Sequence, residues 1–213
     1  MERDTQGMVI FGEFKFPEEV LTYMAPNNRE LALVRAERYG NRIFNEYTAI
    51  KHWFPKQVDQ VLDIGCGLAG IDVMIARNHG VKVAHLIDGE GAKDQLNGYR
   101  EDCFAWQDRR VAVKFLKANV VVFVQDYNPD PQLVINAEQK PILVISLLSW
   151  AHHYPVDVYM ELVRKATPIG SKLIVDLRKG KGGKEELEKN GFKLLTQFDA
   201  SVKCHRSLFE RVS

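Results

Sequence analysis

The rhythm of apolar positions changes near residue 58. Before it, Leu31, Val34, Ile43, Phe44, Tyr47 and Ile50 recur at helical spacing. They predict one long helix, capped at its start by Asn27 or Asn28 and stopped after Phe54 by Pro55, with Gly40 as a candidate interruption. The first thirty residues, which include Gly12, Pro17 and Pro26, show no clear period. They read as an irregular lead-in with room for one short helix. After residue 58, short apolar runs alternate with helical patterns. Strands are expected at Val61–Ile64, Val81–Asp88, Val120–Val124, Ile142–Leu148, Lys172–Leu177, Phe192–Phe198 and Cys204–Val212. Helices are expected at Ile71–His79, Trp106–Ala118, from Pro155 to about Pro168, and at Lys184–Asn190.

Strands separated by helices form right-handed βαβ units, which build a parallel sheet with helices on both faces. The last two strands have only a polar turn between them, so the final one runs antiparallel. The expected fold is therefore α/β: a three-layer α/β/α sandwich, with a mostly parallel seven-stranded sheet and a C-terminal antiparallel hairpin. Residues 1–57 form a helical lead-in and partial lid, residues 58–213 the main domain, and the two make one compact unit. The weak link is Tyr127–Lys140, which holds two prolines and leaves space only for a short helix.

Bulk composition narrows the partners. Net charge is +1, so nothing in it argues for a nucleic-acid polyanion or a membrane surface. The three cysteines, Cys66, Cys103 and Cys204, are widely spaced and include no CxxC pair, which argues against a zinc site or a disulfide framework and for a reducing, cytoplasmic setting. The N-terminus has no signal-peptide pattern, and Pro141–Ala151 is too short to span a bilayer. No metal is expected.

The chemistry concentrates at Val61-Leu62-Asp63-Ile64-Gly65-Cys66-Gly67-Leu68-Ala69-Gly70, directly after the first strand of the alternating region and opening a helix. Gly65, Gly67 and Gly70 spell GxGxxG, a weak signal alone. An acid ending the next strand is its expected companion, and Asp88, followed by Gly89, stands there. The plainer readings are a structural turn, a solvated strand end for Asp88 and a turn-capping aspartate at Asp126. A dehydrogenase uses a similar turn. The residues left after it are too few for a nucleotide fold plus a substrate domain, and Asp63 before the first glycine suits an amino group better than a pyrophosphate.

Asp63-Ile64-Gly65-Cys66-Gly67 resembles the first motif of class I S-adenosylmethionine-dependent methyltransferases. The resemblance runs from Val58 to Val212 and extends to the C-terminal hairpin, with its His205–Arg211 segment. It implies S-adenosyl-L-methionine as cofactor. By it, Gly65, Cys66 and Gly67 carry the methionine part, Asp63 helps to hold the amino group, and Asp88 with Gly89 binds ribose. Gln125 and Asp126, just after the third strand of the alternating region, match the adenine contact, and Ser146 joins the cofactor-binding set.

Ser146–Pro155 lies at the carboxyl end of the next strand, next to the switch point, where ligands bind. Trp150, His152, His153 and Tyr154 are placed to face the reacting methyl group. The (Asp/Asn)-Pro-Pro-(Tyr/Phe) motif of amino-methyltransferases and the Pro-Cys of cytosine C5 enzymes are both absent, and Cys66 is badly placed as a nucleophile. The segment is similar to stretches of small-molecule methyltransferases, sugar O-methyltransferases among them. A neutral hydroxyl is a poor nucleophile, so a base helps, and His152 or His153 is the candidate; a capping or packing role is the plainer reading. Lys179-Gly180-Lys181-Gly182-Gly183-Lys184 either closes over an anionic substrate such as a sugar phosphate or is a solvated loop. The expected reaction moves a methyl group to a small-molecule acceptor, a hydroxyl before an amine. The alternatives are an RNA or protein methyltransferase on the same fold and a non-catalytic S-adenosylmethionine-binding regulatory subunit. Neither the identity of the acceptor nor the oligomeric state is legible.

Overall fold

The computed structural model describes residues 2–5, 7–89, 108–130, 132–135 and 140–213. Cys103 and the helix start expected at Trp106 lie outside them. The lead-in is more ordered than its sequence suggests. Strands β1 (Glu2–Arg3), β2 (Val9–Phe11) and β3 (Phe14–Phe16) form a small antiparallel sheet, followed by helix α1 (Glu18–Met24). These strands are two or three residues long, too short to register as a period. Tertiary contacts hold them: Phe14 and Phe16 pack their rings on Phe115, 5.9 and 5.0 Å between centroids. The Asn119 side chain accepts from Lys15 N (2.8 Å) and donates to Lys15 O (2.9 Å).

Helix α2 (Arg29–Ile50) is capped by the Asn28 side chain, which accepts from Leu31 N at 3.0 Å, and ends in a 3-10 turn, Lys51–Trp53. Gly40 does not interrupt it; the Phe14 ring packs there. The buried face is Ala32, Ala36, Tyr39, Gly40, Ile43, Tyr47 and Ile50, whereas Leu31, Val34 and Phe44 are exposed. The expected apolar stripe is thus half corrected: small residues, which allow close helix packing, mark the inner face.

The main sheet contains β4 (Gln60–Ile64), β5 (Val83–Ile87), β6 (Phe123–Tyr127), β7 (Leu143–Ser146), β9 (Lys172–Arg178), β10 (Phe192–Ser201) and β11 (Cys204–Arg211). Their order is β10-β11-β9-β7-β4-β5-β6. Strand β11 is antiparallel to both neighbours, and the remaining pairs are parallel. Helices α3 (Gly70–His79), α4 (Arg109–Asn119), α5 (Asp157–Ala166) and α6 (Gly183–Lys189) connect them. An unforeseen strand, β8 (Ser149–Tyr154), follows β7 and lies beside β9.

Successive residues of each strand point to opposite faces, and the core divides accordingly. Val61, Leu86, Ile145 and Ile174 join α2, α3 and α4 and the N-terminal hairpin in one cluster; Leu62, Ile64, Val144 and Val175 join α5 and α6 in the other. The expected three layers are present. The chain leaves β4 toward β5 and β6, then returns to β7 on β4's other side. That reversal opens a crevice at the carboxyl end of β4. No described helix is long and apolar enough to cross a membrane.

Candidate functional site

The turn after β4 occupies that crevice. Gly65 N and Cys66 N donate to Ile87 O at 2.8 and 3.3 Å, tying the turn to the end of β5. Gly65 has φ +78°, and a Cβ there would fall on the Ser149 side chain. Only glycine meets both demands. Gly70 opens α3, and its N–H donates to the Tyr39 hydroxyl at 3.0 Å. A Cβ at Gly70 would strike that hydroxyl and Ile43. Between them Ala69 holds φ +56°, a left-handed conformation that costs a non-glycine residue energy and points to a site.

Asp88 stands beside this turn. Its Oδ2 accepts from Gly67 N and its Oδ1 from Gly89 N, both at 2.7 Å. Burial pushes its pKa up to about 6 against the opposing pull of those two N–H groups. Asp63 and Asp72 are 3% and 1% exposed. Burial, then the neighbouring Asp72, holds the Asp63 carboxyl well above the usual carboxylate range, and burial raises Asp72 to about 6. Neither Oδ atom of Asp72 has a hydrogen-bond partner of ordinary geometry, and no cation pairs with either acid among the described residues. Burial likewise raises the Cys66 thiol, which makes it a poor nucleophile.

These acids set a sign for pH. Burial favours protonated Asp72, so between the ordinary carboxylate range and about pH 6 the native chain binds more protons than the unfolded one. The stability this contributes is lost as pH rises through about 6. Buried histidines with lowered pKa act in the opposite sense, so a comparison with Asp72→Asn isolates the effect. The advantage of Asp72→Asn in melting temperature is expected to grow from about pH 5 to about pH 7.5. Parallel curves in a pH series of thermal unfolding would remove Asp72 from the account.

Two of the expected contacts are corrected. Gln125 and Asp126 lie inside β6, not after it. The Val120–Val124 run suggested an earlier strand, but pairing with β5 starts at Phe123, whose N–H donates to Lys82 O. Asp126 is tied to Arg109 at 2.6 Å and Gln125 Oε1 accepts from the Tyr127 hydroxyl at 2.8 Å, so the residue following the strand is Asn128. Ser146 is fully buried. Its hydroxyl donates to Ile64 O (2.6 Å) and accepts from Trp150 N (2.9 Å), so it ties the end of β4 to the start of β8.

Past Ser146 the backbone is strained, with φ +55° at Leu148 and +64° at Ala151. Strain of this kind persists only where surroundings impose it. Leu148 N donates to Asp176 Oδ2 (3.1 Å), and the Trp150 indole donates to Val156 O (2.9 Å). Trp150 is fully buried, a core residue and not a wall of the site. Asp176 also receives Arg206 in a bidentate pair (2.7 and 2.8 Å), both residues buried.

His152 and His153 stand with rings at 85° and centroids 4.6 Å apart. His152 is 8% exposed and its Nδ1 has no hydrogen-bond partner among the described residues; His153 is half-buried. Burial lowers the pKa of both, and Arg178 lowers both further, against a rise at His152 from Asp176. Burial and Arg178 thus favour the neutral form of both rings. They line a cavity of about 710 Å³ together with Tyr154, Arg178 and Lys181.

Asp72, Tyr39, Ser149 and the Asp176–Arg206 pair escape sequence reading. Asp72 carried one signal, an acid in the first turn of the helix behind a glycine turn. The others are distant in sequence and meet only in the fold.

No protein-family model matches the sequence, and a comparison with curated proteins finds none that matches. Solved structures do match. A protein of Pyrococcus horikoshii aligns with a TM-score of 0.59 at 16% identity, covering 89% of this chain and 95% of that one. A candidate S-adenosylmethionine-dependent methyltransferase of Listeria monocytogenes aligns at 0.58 and 12% identity, covering 81% and 99%. An S-adenosylmethionine-dependent methyltransferase of Aquifex aeolicus aligns at 0.52 and 14%, covering 81% and 98%. The likeness is one of fold, the seven-stranded, mostly parallel sheet with its C-terminal hairpin.

Proposed function

We propose that the protein is an S-adenosyl-L-methionine-dependent methyltransferase whose acceptor is a small molecule with a hydroxyl group. One observation carries the reading: a half-buried carboxylate, Asp88, is fixed beside the Gly65–Gly67 turn at the point where strand order reverses. Each of its oxygens uses one lone pair on a backbone N–H and keeps another for a ribose hydroxyl. The residues fit the rest of the cofactor. Asp63 and Asp72 form a buried acidic pair with no cation among the described residues, the setting an ammonium group would neutralise. The turn presents backbone where the methionine part would pass.

S-adenosylmethionine supplies a methyl group already activated on a sulfonium. The protein's own work is then positioning and deprotonation. Asp88 orients the ribose, the acid pair anchors the amino end, and His153 takes the proton of the attacking hydroxyl. The 1–57 segment and the main domain act as one unit, with the Tyr39 hydroxyl accepting from Gly70 N at the start of α3. Cys66 and Cys204, free and buried, suit a reducing compartment such as the cytoplasm.

Calorimetry tests this. S-adenosylhomocysteine should bind the wild-type chain, and Asp88→Ala should weaken it about tenfold or more, the loss of a charge-assisted bond of about 1.5–3 kcal/mol. Circular dichroism should show the same secondary structure in both. Binding of NAD without S-adenosylhomocysteine would overturn the reading.

A further inference from the structure

The cavity beside the histidines holds charges of both signs, and they differ in how well the fold accounts for them. Its acids sit at helix starts: Asp157 in the first turn of α5, Glu185 and Glu186 in the first turn of α6. Negative charge there is stabilised by the exposed N–H groups of the helix. Glu186 is also 3.7 Å from Lys189. The cations Arg178 and Lys181 have no acidic partner among the described residues. Lys179, between them in the chain, turns away to Asp199 on β10 at 3.0 Å. The turn that follows the strand thus sends Lys179 to a partner, while Arg178 and Lys181 line the cavity.

The histidine end of the cavity is the electropositive end, because Arg178 is close enough to disfavour protonation of both rings. Among the described residues, the positive charge of the cavity that no acid pairs with is carried by the Arg178 guanidinium and the Lys181 ammonium. A planar guanidinium matches a carboxylate or phosphate in two parallel hydrogen bonds. A volume of about 710 Å³ suits a small molecule.

From this geometry we infer that Arg178 and Lys181 form a subsite for an anionic group, a carboxylate or a phosphate, on the same small molecule whose hydroxyl faces His153. The inference rests on the methyltransferase reading and names its acceptor class: a hydroxylated acid or a phosphorylated alcohol. Anion and hydroxyl then bind in one cavity, and the anchored anion fixes the hydroxyl against the base.

The test follows the His153 ring signal by NMR while inorganic phosphate, or lactate, is added to the full chain at constant ionic strength, with sodium chloride as control. At least one of the two anions should shift the signal saturably where chloride does not, and which one saturates tells phosphate from carboxylate. Lys181→Ala and Arg178→Gln should each weaken that binding, and together at least tenfold. Both positions are at a strand end or in a loop, so the variants should fold, which circular dichroism checks; Lys51→Ala, on the turn after α2, should bind as wild type. A shift matched by chloride, or a double variant that binds like wild type, overturns the subsite. S-adenosylhomocysteine titrated into the same wild-type sample separates the two ideas: its failure to bind sinks the methyltransferase reading, whereas the anion titration alone decides the subsite.

Discussion

Arg206→Met is expected to lower the free energy of unfolding by about 3–5 kcal/mol, because it strands a buried carboxylate. Asp176 is 0% exposed and takes two of its three hydrogen bonds from Arg206. A second acid adds to the cost. Glu46, on α2, has a pKa raised by burial and held down by Arg206 and Arg42, so losing Arg206 removes a cation from two carboxyls. The double variant Asp176→Leu/Arg206→Met should regain most of the stability, since apolar groups replace a buried pair with little loss. It should not regain the site. Asp176 also holds Leu148 N at φ +55°, and without it the strained loop has no anchor there. Denaturant unfolding of the three chains checks the first claim, and S-adenosylhomocysteine affinity the second. A single variant that loses under about 1 kcal/mol would mean that water reaches Asp176.

Once an acceptor is in hand, His153→Ala is expected to reduce turnover by roughly 10²–10⁴, the usual contribution of a positioned base, with cofactor affinity nearly intact. His152→Ala should cost less in turnover and more in stability, since His152 is the buried ring and its Nδ1 has no orienting partner. A base must be neutral to act. Burial and Arg178 hold His153 below its ordinary value of about 6.5, so the rate should rise with pH below that value and be level above it. Screening hydroxy acids, phosphorylated alcohols, phenols and uncharged sugars supplies the acceptor. Full turnover in His153→Ala would leave positioning alone to carry the reaction.

Legibility in the sequence followed how local each signal was. The glycine turn, Asp63, Asp88 and the alternating elements around them rest on neighbours a few residues apart or on one strand's period, and they stand where they were expected. The limits of β6 did not, because an edge strand with one partner takes its register from that partner, and pairing with β5 moved it to Phe123–Tyr127. Strand β8 was hidden because Ser149–Tyr154 directly follows the strand expected at Ile142–Leu148, and the left-handed residue at Leu148 separates the two without a glycine or proline to mark the break. The N-terminal hairpin was illegible because Phe14 and Phe16 owe their strand to the Phe115 ring nearly a hundred residues on.

The chain by itself therefore determined the layer order, the position of the glycine turn and the acid beside it, because hydrophobic period and turn chemistry act between close neighbours. Only the tertiary structure decided which polar groups are buried together. Asp72 against Asp63, Arg206 on Asp176, the Tyr39 hydroxyl at Gly70 N and Ser149 against Gly65 each join residues from separate elements. Burial is set by the packing of whole layers, and burial is what raises the acids and lowers the histidines, while Arg178 and Lys181 face a cavity with no acidic partner among the described residues.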